Sequence, residues 1–340
     1  MDEKQLEALV GATLFQYQQS KLAQINAEAR SFVHYTTTEA ALSIISNQEI
    51  WLRNSSVMND YSEIKHGEDC LRFCLVEDDH ARERAKSAFN AIGDGLYDKI
   101  VHGFFEAAPL RRAFTYLLSI SEHGPLIVKP GVIDEESLFG RLSMWRAYGQ
   151  GGVALIFKKE PIVETVSEGI DAYSSPVFYG NPDAFAQLFH NMLAAIELNI
   201  DQIKKFDTEV FATNVANALH FASLSTKHPG FSEEREWRIT YSANPLVEPQ
   251  SDDEFNQTSA IKREFRSING LPQRIYKIPF RNDPAFNISG ITLPSILKHI
   301  VIGPTQYPTV VYDSLVMAMR RAGFADKDIS ISISNIPIRT

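Results

Sequence analysis

The apolar positions of the chain recur at helical spacing in some segments and at strand spacing in others. In residues 5–30 and 183–224 the apolar side chains return every three or four positions, which predicts helices. Further helices are predicted at residues 39–46, 62–76, 143–148 and 312–322, and over residues 81–114 with breaks near residues 93–95 and Pro109. We interpret residues 1–30 as an N-terminal helical extension and residues 183–224 as a helical insertion.

The remaining apolar runs are short and rich in aromatic and β-branched residues, as strands are. Predicted strands cover residues 32–35, 50–52, 114–121, 153–157, 236–241, 274–280, 299–302 and 329–335. The last of these alternates strictly, which predicts an edge strand with one buried face. Strands and helices alternate too irregularly for a doubly wound sheet. We predict an α+β fold in which residues 31–340 form one domain around a central mixed or antiparallel sheet, with helical insertions.

Composition and charge narrow the class of protein. The 340 residues are 44% hydrophobic and carry a net charge of -9, which repels phosphates and disfavours broad, nonspecific nucleic-acid binding. The two cysteines, Cys70 and Cys74, lie four apart in a predicted helix, so a disulfide scaffold is disfavoured and a reducing compartment fits. No signal-peptide pattern and no run of ~18 apolar residues is visible. We therefore predict a cytoplasmic protein with no membrane partner.

Three polar residues in the N-terminal third of the chain are the first candidates for a functional site. His34 stands at the end of a predicted strand that precedes a helix and another strand, which would place its imidazole at the edge of a cleft. The alternative is a core histidine bonded to a backbone carbonyl. Asn59 and Asp60 follow in a polar loop, where they either cap a helix or line a sugar-binding pocket.

The predicted helix at residues 143–148 holds a second group. Trp145 and Tyr148 are three apart, so both can face one side of that helix. We assign Trp145 to core packing, whereas Tyr148 and Arg146 are placed to reach a ligand. The glycines at 149, 151 and 152 match no phosphate-binding loop.

Glu234 and Glu236 are two apart at a predicted strand start, so both carboxylates are expected on one face. Like charges on one face raise each other's pKa, an arrangement suited to holding a cation or a developing positive charge. The alternative is an exposed face on which they pair with Arg235, Arg238 or Lys227.

One further stripe resembles a metal site but is interpreted otherwise. His66, Cys70 and Cys74 fall at i, i+4 and i+8 of a predicted helix. A zinc site needs a fourth ligand and usually a turn between its ligands. Because cysteines are commonly buried, we assign the stripe to a helix core and predict no metal.

The candidate segments together resemble a widespread bacterial family of unknown function. The shared pattern is a His-Tyr-Thr start, an Asn-Asp loop, a Met-Trp-x-x-Tyr block and a Glu-x-Glu-Trp-Arg strand, over about residues 31–305. A more distant similarity links the chain to the ADP-ribosyltransferase superfamily. His34-Tyr-Thr with the following helix and strand resembles its first motif, and Glu236 is placed like its late catalytic glutamate. Glu234 completes a Glu-x-Glu similar to that of the arginine-modifying branch.

This resemblance implies a fold, a substrate and roles. The fold would be that of the ADP-ribosyltransferases, and NAD would be the substrate. His34 would hold the ribose next to adenine, and Tyr148 or Tyr116 would stack on nicotinamide. Glu236 would bond the nicotinamide ribose and favour the oxocarbenium-like state, while Glu234 would orient or deprotonate the acceptor. The implied binding set is His34, Tyr35, Thr36, Asn59, Asp60, Tyr148 and Arg146. We expect the His34 ring and the Glu236 carboxylate to line one pocket.

Three functional hypotheses remain open from the sequence. The first is an NAD-using ADP-ribosyltransferase-like enzyme, a toxin or anti-phage defence effector, which transfers ADP-ribose to a protein or nucleic-acid acceptor. The alternative is a catalytically silent module of the same fold that binds a nucleotide or a protein. A nucleic-acid-acting enzyme is the third, and the acidic charge disfavours it. The insertion at 183–224 is predicted to act as a lid or a partner surface.

Overall fold

The computed structural model describes residues 3–57, 61–124, 127–129, 132–148, 152–160, 162–163, 170, 172–244 and 247–337. The chain divides into two compact units. The helical unit comprises Met1–Gln24, Ser55–Ala113 and Ser175–Ser232. The sheet unit comprises Ile25–Asn54, Phe114–Ser174 and Glu233–Thr340.

Helices and strands are numbered here in chain order. The described α-helices are α1 (Glu3–Leu14), α2 (Gln16–Ala27), α3 (Thr38–Asn47), α4 (Tyr61–Arg72), α5 (Asp79–Asn90), α6 (Leu96–Ala113), α7 (Glu135–Phe139), α8 (Leu142–Tyr148), α9 (Pro182–Leu198), α10 (Ile200–Ile203), α11 (Thr208–Leu224), α12 (Asp252–Thr258), α13 (Leu293–Ile296) and α14 (Pro308–Arg321). The described strands are β1 (Ser31–Thr36), β2 (Glu49–Asn54), β3 (Thr115–His123), β4 (Ile127–Lys129), β5 (Val132–Ile133), β6 (Val153–Phe157), β7 (Tyr173–Pro176), β8 (Phe178–Tyr179), β9 (Thr226–Lys227), β10 (Glu236–Ser242), β11 (Lys262–Ile268), β12 (Leu271–Pro279), β13 (Leu297–Ile302) and β14 (Ile331–Ile333). None of these helices is long and apolar enough to cross a membrane.

The helical unit is built on the apolar stripes of α4, α5, α6, α9 and α11. Its core includes Phe89, Phe104 and Phe211, and the thiols of Cys70 and Cys74 are fully buried in it. Burial raises the pKa of Cys70 to about 11 and that of Cys74 to about 12, so both thiols stay protonated at neutral pH. Both cysteines therefore act as small apolar core residues. The insertion predicted at 183–224 lies in this unit together with residues 55–113.

The sheet unit holds one large mixed sheet. Its main path runs β11-β12-β2-β3-β1-β6-β13-β14, and β10 pairs with β3 and β7. The pairs along the main path and the pair of β10 with β3 are antiparallel, except β13 with β14, which are parallel. The predicted α+β class with a mixed central sheet is therefore confirmed. β14 is also the edge strand that the alternation of residues 329–335 predicts.

Several of the described helices and strands were not predicted from the sequence, and α12 and β11 are the longest of them. No element was predicted for the acidic segment after residue 245, but residues 252–258 form α12. β11 lies at the edge of the sheet and was missed because four of its seven residues are charged, as is common in edge strands. It forms a hairpin with β12 through a two-residue turn, in which Asn269 and Gly270 both have positive φ.

A buried polar network fixes the α12 segment to the sheet. The Glu248 carboxylate accepts hydrogen bonds from the hydroxyls of Tyr241 (2.8 Å) and Tyr276 (2.7 Å). The guanidinium of Arg263 donates to Glu248 (3.1 Å) and to Asp252 (2.6 Å). Arg263 is almost fully buried, so its charge depends on these two carboxylates.

Replacement of Glu248 by Gln should therefore destabilise the fold markedly. The change removes one counter-charge of a buried guanidinium, and loss of one partner of such a pair costs about 3 kcal/mol or more. Asp253→Asn, an exposed acidic residue of the same segment, is the control and should cost under ~1 kcal/mol. Urea unfolding of the three proteins measures the difference, and equal midpoints would show that the network is not a stabilising contact.

Candidate functional site

The sheet forks at β3. At Tyr116 and Leu117, β3 is paired with β10 on one edge and with β2 on the other. At Ser121 it is paired with β10 on the same edge as before and with β1 on the opposite edge. Since a strand has only two edges, β1 and β2 share one of them. A gap opens between the two strands along residues 118–120.

His34 occupies this gap. Its ring Nδ1 lies 3.1 Å from the carbonyl oxygen of Ser119, on the stretch of β3 that neither β1 nor β2 pairs with. A carbonyl only accepts, so Nδ1 carries the proton. Burial lowers the pKa of His34, although the hydrogen bond to Ser119 opposes the shift. The His34 side chain thus takes the place of the backbone hydrogen bond that a neighbouring strand would have made to Ser119. This agrees with the alternative interpretation of the sequence, a core histidine bonded to a backbone carbonyl.

The strand register assigns each side chain to a face. Val33, Ser121 and Glu236 stand directly opposite one another, so their side chains share one face. His34 follows Val33 in a regularly paired strand, so its side chain points to the other face. The expectation that His34 and Glu236 line one pocket is therefore wrong.

The two faces differ in chemistry. We call one face the polar face because it carries Ser119, Ser121, Glu236, Arg238 and Thr240, which lie at alternate positions of β3 and β10. The apolar face carries Leu118, Ile120, Trp237 and Ile239 from the same two strands.

Glu236 is held in a buried ion pair. Its two carboxylate oxygens lie 2.7 Å from Nε and 3.1 Å from a terminal nitrogen of Arg238. Glu236 is 4% exposed and Arg238 is fully buried. The alternative interpretation of the sequence included this pairing with Arg238, but it placed the pair on an exposed face, whereas the structure buries it. Because Arg238 neutralises it, Glu236 is a weak source of negative charge for a developing cation.

Strand alternation does not relate Glu234 to Glu236. β10 begins at Glu236, and Glu234 ends a 3₁₀-helix, Pro229–Glu234. Between them Arg235 has φ = 45°, a left-handed conformation that is uncommon for a residue with a side chain. The expectation that both carboxylates share one face because of strand spacing is therefore wrong.

Glu234 meets a residue from a distant segment instead. Its carboxylate lies 3.4 Å from the hydroxyl of Tyr148 at the end of α8, and the Tyr148 side chain is 41% exposed. The structure thus brings together two predicted site residues that are 86 positions apart. Arg146, on the same helix, is exposed. Asn59 and Asp60 lie outside the described residues.

Tyr35 and Thr36 complete the predicted set at the end of β1. The Tyr35 ring packs edge-on against Trp145 at 4.9 Å, and its hydroxyl accepts the backbone N–H of Arg141 at 2.9 Å. Tyr35 is therefore a packing residue, and Trp145 belongs to the core as predicted. Thr36 is the last residue of β1 and is partly exposed.

Three residues of the polar face, Ser119, Thr240 and Arg53, were not among the predicted site residues. The hydroxyls of Ser119 and Thr240 and the Nε of Arg53 are buried and have no hydrogen-bond partner in the part of the chain that the structure describes. Arg53 stands opposite Leu117, which in turn stands opposite Thr240, so these side chains share the polar face. A recognisable signal exists: Ser-x-Ser in one strand and Glu-x-Arg-x-Thr in its neighbour put polar residues at alternate positions of buried strands.

Glu136 forms a second buried cluster in the sheet unit. Its carboxylate pairs with Arg141 (2.7 Å), Arg235 (3.4 Å) and His123 Nδ1 (3.5 Å). The other ring nitrogen of His123 lies 2.8 Å from the hydroxyl of Ser137. Ser137 is fully buried, so this Ser-His-Glu series holds α7 against β3 and offers no nucleophile to a substrate.

Arg141 extends this cluster to the start of β10. Its guanidinium donates to the carbonyl oxygens of Glu233 (2.8 Å) and Glu234 (2.9 Å) and to that of Glu122 (2.8 Å). These bonds fix the left-handed bend at Arg235 and thereby the position of the Glu234 side chain. The sequence analysis did not predict the contacts of this cluster, because they join segments far apart in the sequence.

A first prediction for this site concerns the buried ion pair. Glu236→Gln should lower the free energy of unfolding by about 3–5 kcal/mol, because Arg238 loses the carboxylate that neutralises it. Glu234→Gln, a change of the same chemistry at a more exposed carboxylate, should cost under ~1 kcal/mol. The double variant Glu236→Met with Arg238→Met should recover most of the loss. A Glu236→Gln protein as stable as wild type would contradict the structural role.

A second prediction concerns acid stability. Burial on its own would raise the pKa of Glu136, but the hydrogen bond from His123 and the charges of Arg141, His123 and Arg235 lower it to about 2. A depressed carboxyl pKa contributes stability above its unfolded value near 4.5, and this contribution is lost as the pH falls toward 2. The stability difference between wild type and Glu136→Gln should therefore shrink between pH 5 and pH 3 in urea unfolding (roughly the window set by the two pKa values). The exposed neighbour Glu135→Gln is the control, and a pH-independent Glu136→Gln difference would contradict the assignment.

Comparisons with known proteins add one finding. The model of a family described as "Protein of unknown function (DUF2971)" matches residues 144–239, under a third of the chain. No curated protein and no solved structure matches the chain. The matched segment contains Tyr148, Glu234 and Glu236, that is, both sides of the contact between α8 and the start of β10. Over this segment the chain resembles a family of unknown function, as its motifs indicate.

Proposed function

We propose that the chain binds a nucleotide over the polar face of the sheet unit and does not cleave it. The observation that carries this proposal is the set of buried, unpartnered polar atoms on that face: the hydroxyls of Ser119 and Thr240 and the Nε of Arg53. An unsatisfied buried polar atom costs about 1–3 kcal/mol, so proteins retain such atoms where a ligand or ordered water satisfies them.

The hydroxyls and the guanidinium of the polar face, together with the exposed ring of Tyr148, favour a nucleotide as the ligand. Hydroxyls suit ribose hydroxyls, and a guanidinium suits phosphate oxygens. The partly exposed ring of Tyr148 offers a surface on which a base can stack, with the Glu234 carboxylate beside it. The resemblance to ADP-ribosyltransferases makes NAD the first ligand to test.

The absence of turnover is proposed on electrostatic grounds. A carboxylate stabilises an oxocarbenium-like state through an uncompensated negative charge aimed at it. Both oxygens of Glu236 contact Arg238 instead. His34, which was predicted to hold the ribose next to adenine, points to the opposite face of the sheet. A transferase, whether a toxin or a defence effector, would need Glu236 to leave Arg238 when NAD binds.

The binding proposal is tested by titration calorimetry with NAD, ADP-ribose and AMP. Thr240→Val and Ser119→Ala should each weaken binding about tenfold, the loss expected for one or two hydrogen bonds. Without ligand, the same variants should be as stable as wild type or more stable, because each removes an unpartnered buried hydroxyl. Ser267→Ala, at an exposed position of β11, should change neither quantity. No binding of any of the three ligands, or equal affinities in all variants, would contradict the proposal.

The distinction between binding and catalysis needs a separate assay. NAD consumption should be absent in wild type, in Glu234→Gln and in Glu236→Gln. Turnover in wild type that falls by ~10²–10³ in a folded Glu236→Gln protein would instead support the transferase hypothesis.

A further inference from the structure

The two edges of the large sheet differ in how they are protected. β11 forms one edge of the main path and β14 forms the other. Four of the seven residues of β11 are charged, and the side-chain amide of Asn256 bonds both the N–H (2.6 Å) and the carbonyl (3.0 Å) of Arg263. Charges and covered backbone groups keep an edge strand from pairing with another chain. Residues 329–335, which include β14, contain no charged side chain.

The backbone of β14 presents hydrogen-bonding groups at its outer edge. The carbonyl of Ser330 (3.0 Å) and the N–H of Ser334 (2.7 Å) bond to β13, so the backbone groups of these serines face the sheet. Successive residues of a strand direct their backbone groups to opposite edges, so those of Ile331 and Ile333 face outward. Within the part of the chain that the structure describes, β14 pairs with β13 and with no other strand.

Side-chain bonds hold β14 firmly in this position. The two ring nitrogens of His299 lie 2.8 Å from the hydroxyl of Ser330 and 2.9 Å from that of Ser332. The hydroxyl of Ser334 donates to the carbonyl of Phe139 at the end of α7 (2.7 Å). A segment that is already ordered loses little conformational entropy when a partner binds. Although β14 has only three residues, it is therefore a preformed template for a further strand.

The sequence of this segment is complementary to itself. Residues 329–335 read Ile-Ser-Ile-Ser-Ile-Ser-Asn. In an antiparallel pair of two copies centred on Ser332, Ile331 of each copy stands opposite Ile333 of the other, and serine stands opposite serine. Because the two isoleucines face outward, each such pair exchanges both of its backbone hydrogen bonds. The side chain of Ile333 is 40% exposed, so the pairing also buries apolar surface.

We propose that β14 pairs antiparallel with β14 of a second copy of this chain and thereby joins two sheets edge to edge. The occupant is a second copy because the pattern that matches this strand in register is its own, with apolar side chains opposite apolar ones and no charge on either side. The same patch serves both copies, so the assembly closes as a dimer. The protected edge at β11 prevents further growth. The proposal does not involve the polar face and is independent of nucleotide binding.

Sedimentation velocity over a wide range of protein concentrations tests the dimer. Wild type should pass from monomer to dimer as the concentration rises. Ile333→Pro removes an outward N–H and an exposed apolar side chain but no bond to β13, so it should stay monomeric throughout. Phe265→Pro is the matched control at the other edge: Phe265 is 60% exposed, and its N–H faces outward like that of Arg263 two positions before. This variant should dimerise as wild type does. A wild type that is monomeric at every concentration, or an Ile333→Pro protein that dimerises equally well, would overturn the proposal.

Cross-linking tests the register and remains informative if a proline variant fails to fold. Ser332 would stand opposite its own copy in a non-hydrogen-bonded pair, in which the Cα atoms are about 4.5 Å apart, a distance that a disulfide spans. Ser332→Cys should therefore form a covalent dimer under mild oxidation, and the native Cys70 and Cys74 are fully buried and should not compete. Ser267→Cys, at an exposed position of β11, is the control and should stay largely uncrosslinked. Equal cross-linking of the two variants, or none in Ser332→Cys, would show that the proposed pairing is wrong.

Discussion

The sheet unit depends on one constraint: two strands share a single edge of β3. β2 pairs with Tyr116 and Leu117 of β3, and β1 pairs with β3 from Ser121 onward. The carbonyl of Ser119 between them has no strand partner on that edge, and the imidazole of His34 supplies the missing donor. Without that bond, a buried carbonyl would be left unsatisfied at the centre of the sheet. The fork therefore requires a donor side chain at this position of β1.

The fork also separates the chemistry of the two faces. Alternation in β3 and β10 places serine, threonine, glutamate and arginine on one side and isoleucine, leucine and tryptophan on the other. On the polar side, the charges of Glu236 and Arg238 cancel, which favours binding of a polar ligand over stabilisation of a cation.

Much of the local structure could be predicted from the sequence, but the pairing of the strands could not. Apolar spacing located the longer helices and the strands of the sheet core, and Thr37 caps α3 by accepting the backbone N–H of Ala40. The fork depends on which strands meet, a nonlocal property that no local pattern encodes. Glu234 was misplaced for a related reason: the left-handed residue at Arg235 interrupts strand alternation, and the contacts of Arg141 that hold it come from a different segment. The contact between Glu234 and Tyr148 joins two residues that the sequence had singled out separately.

The protonation state of His34 shows most directly whether its side chain closes the gap in the sheet. Histidine-selective ¹⁵N NMR, with His34→Gln identifying its signals among the nine histidines, reports both the tautomer and the charge of the ring. The fork predicts a neutral ring protonated at Nδ1, which stays neutral at pH values where an ordinary histidine of pKa near 6.5 is charged. A ring protonated at Nε2 alone, or one that titrates at the ordinary value, would mean that His34 does not bond Ser119 and that the gap in β3 is not closed in this way.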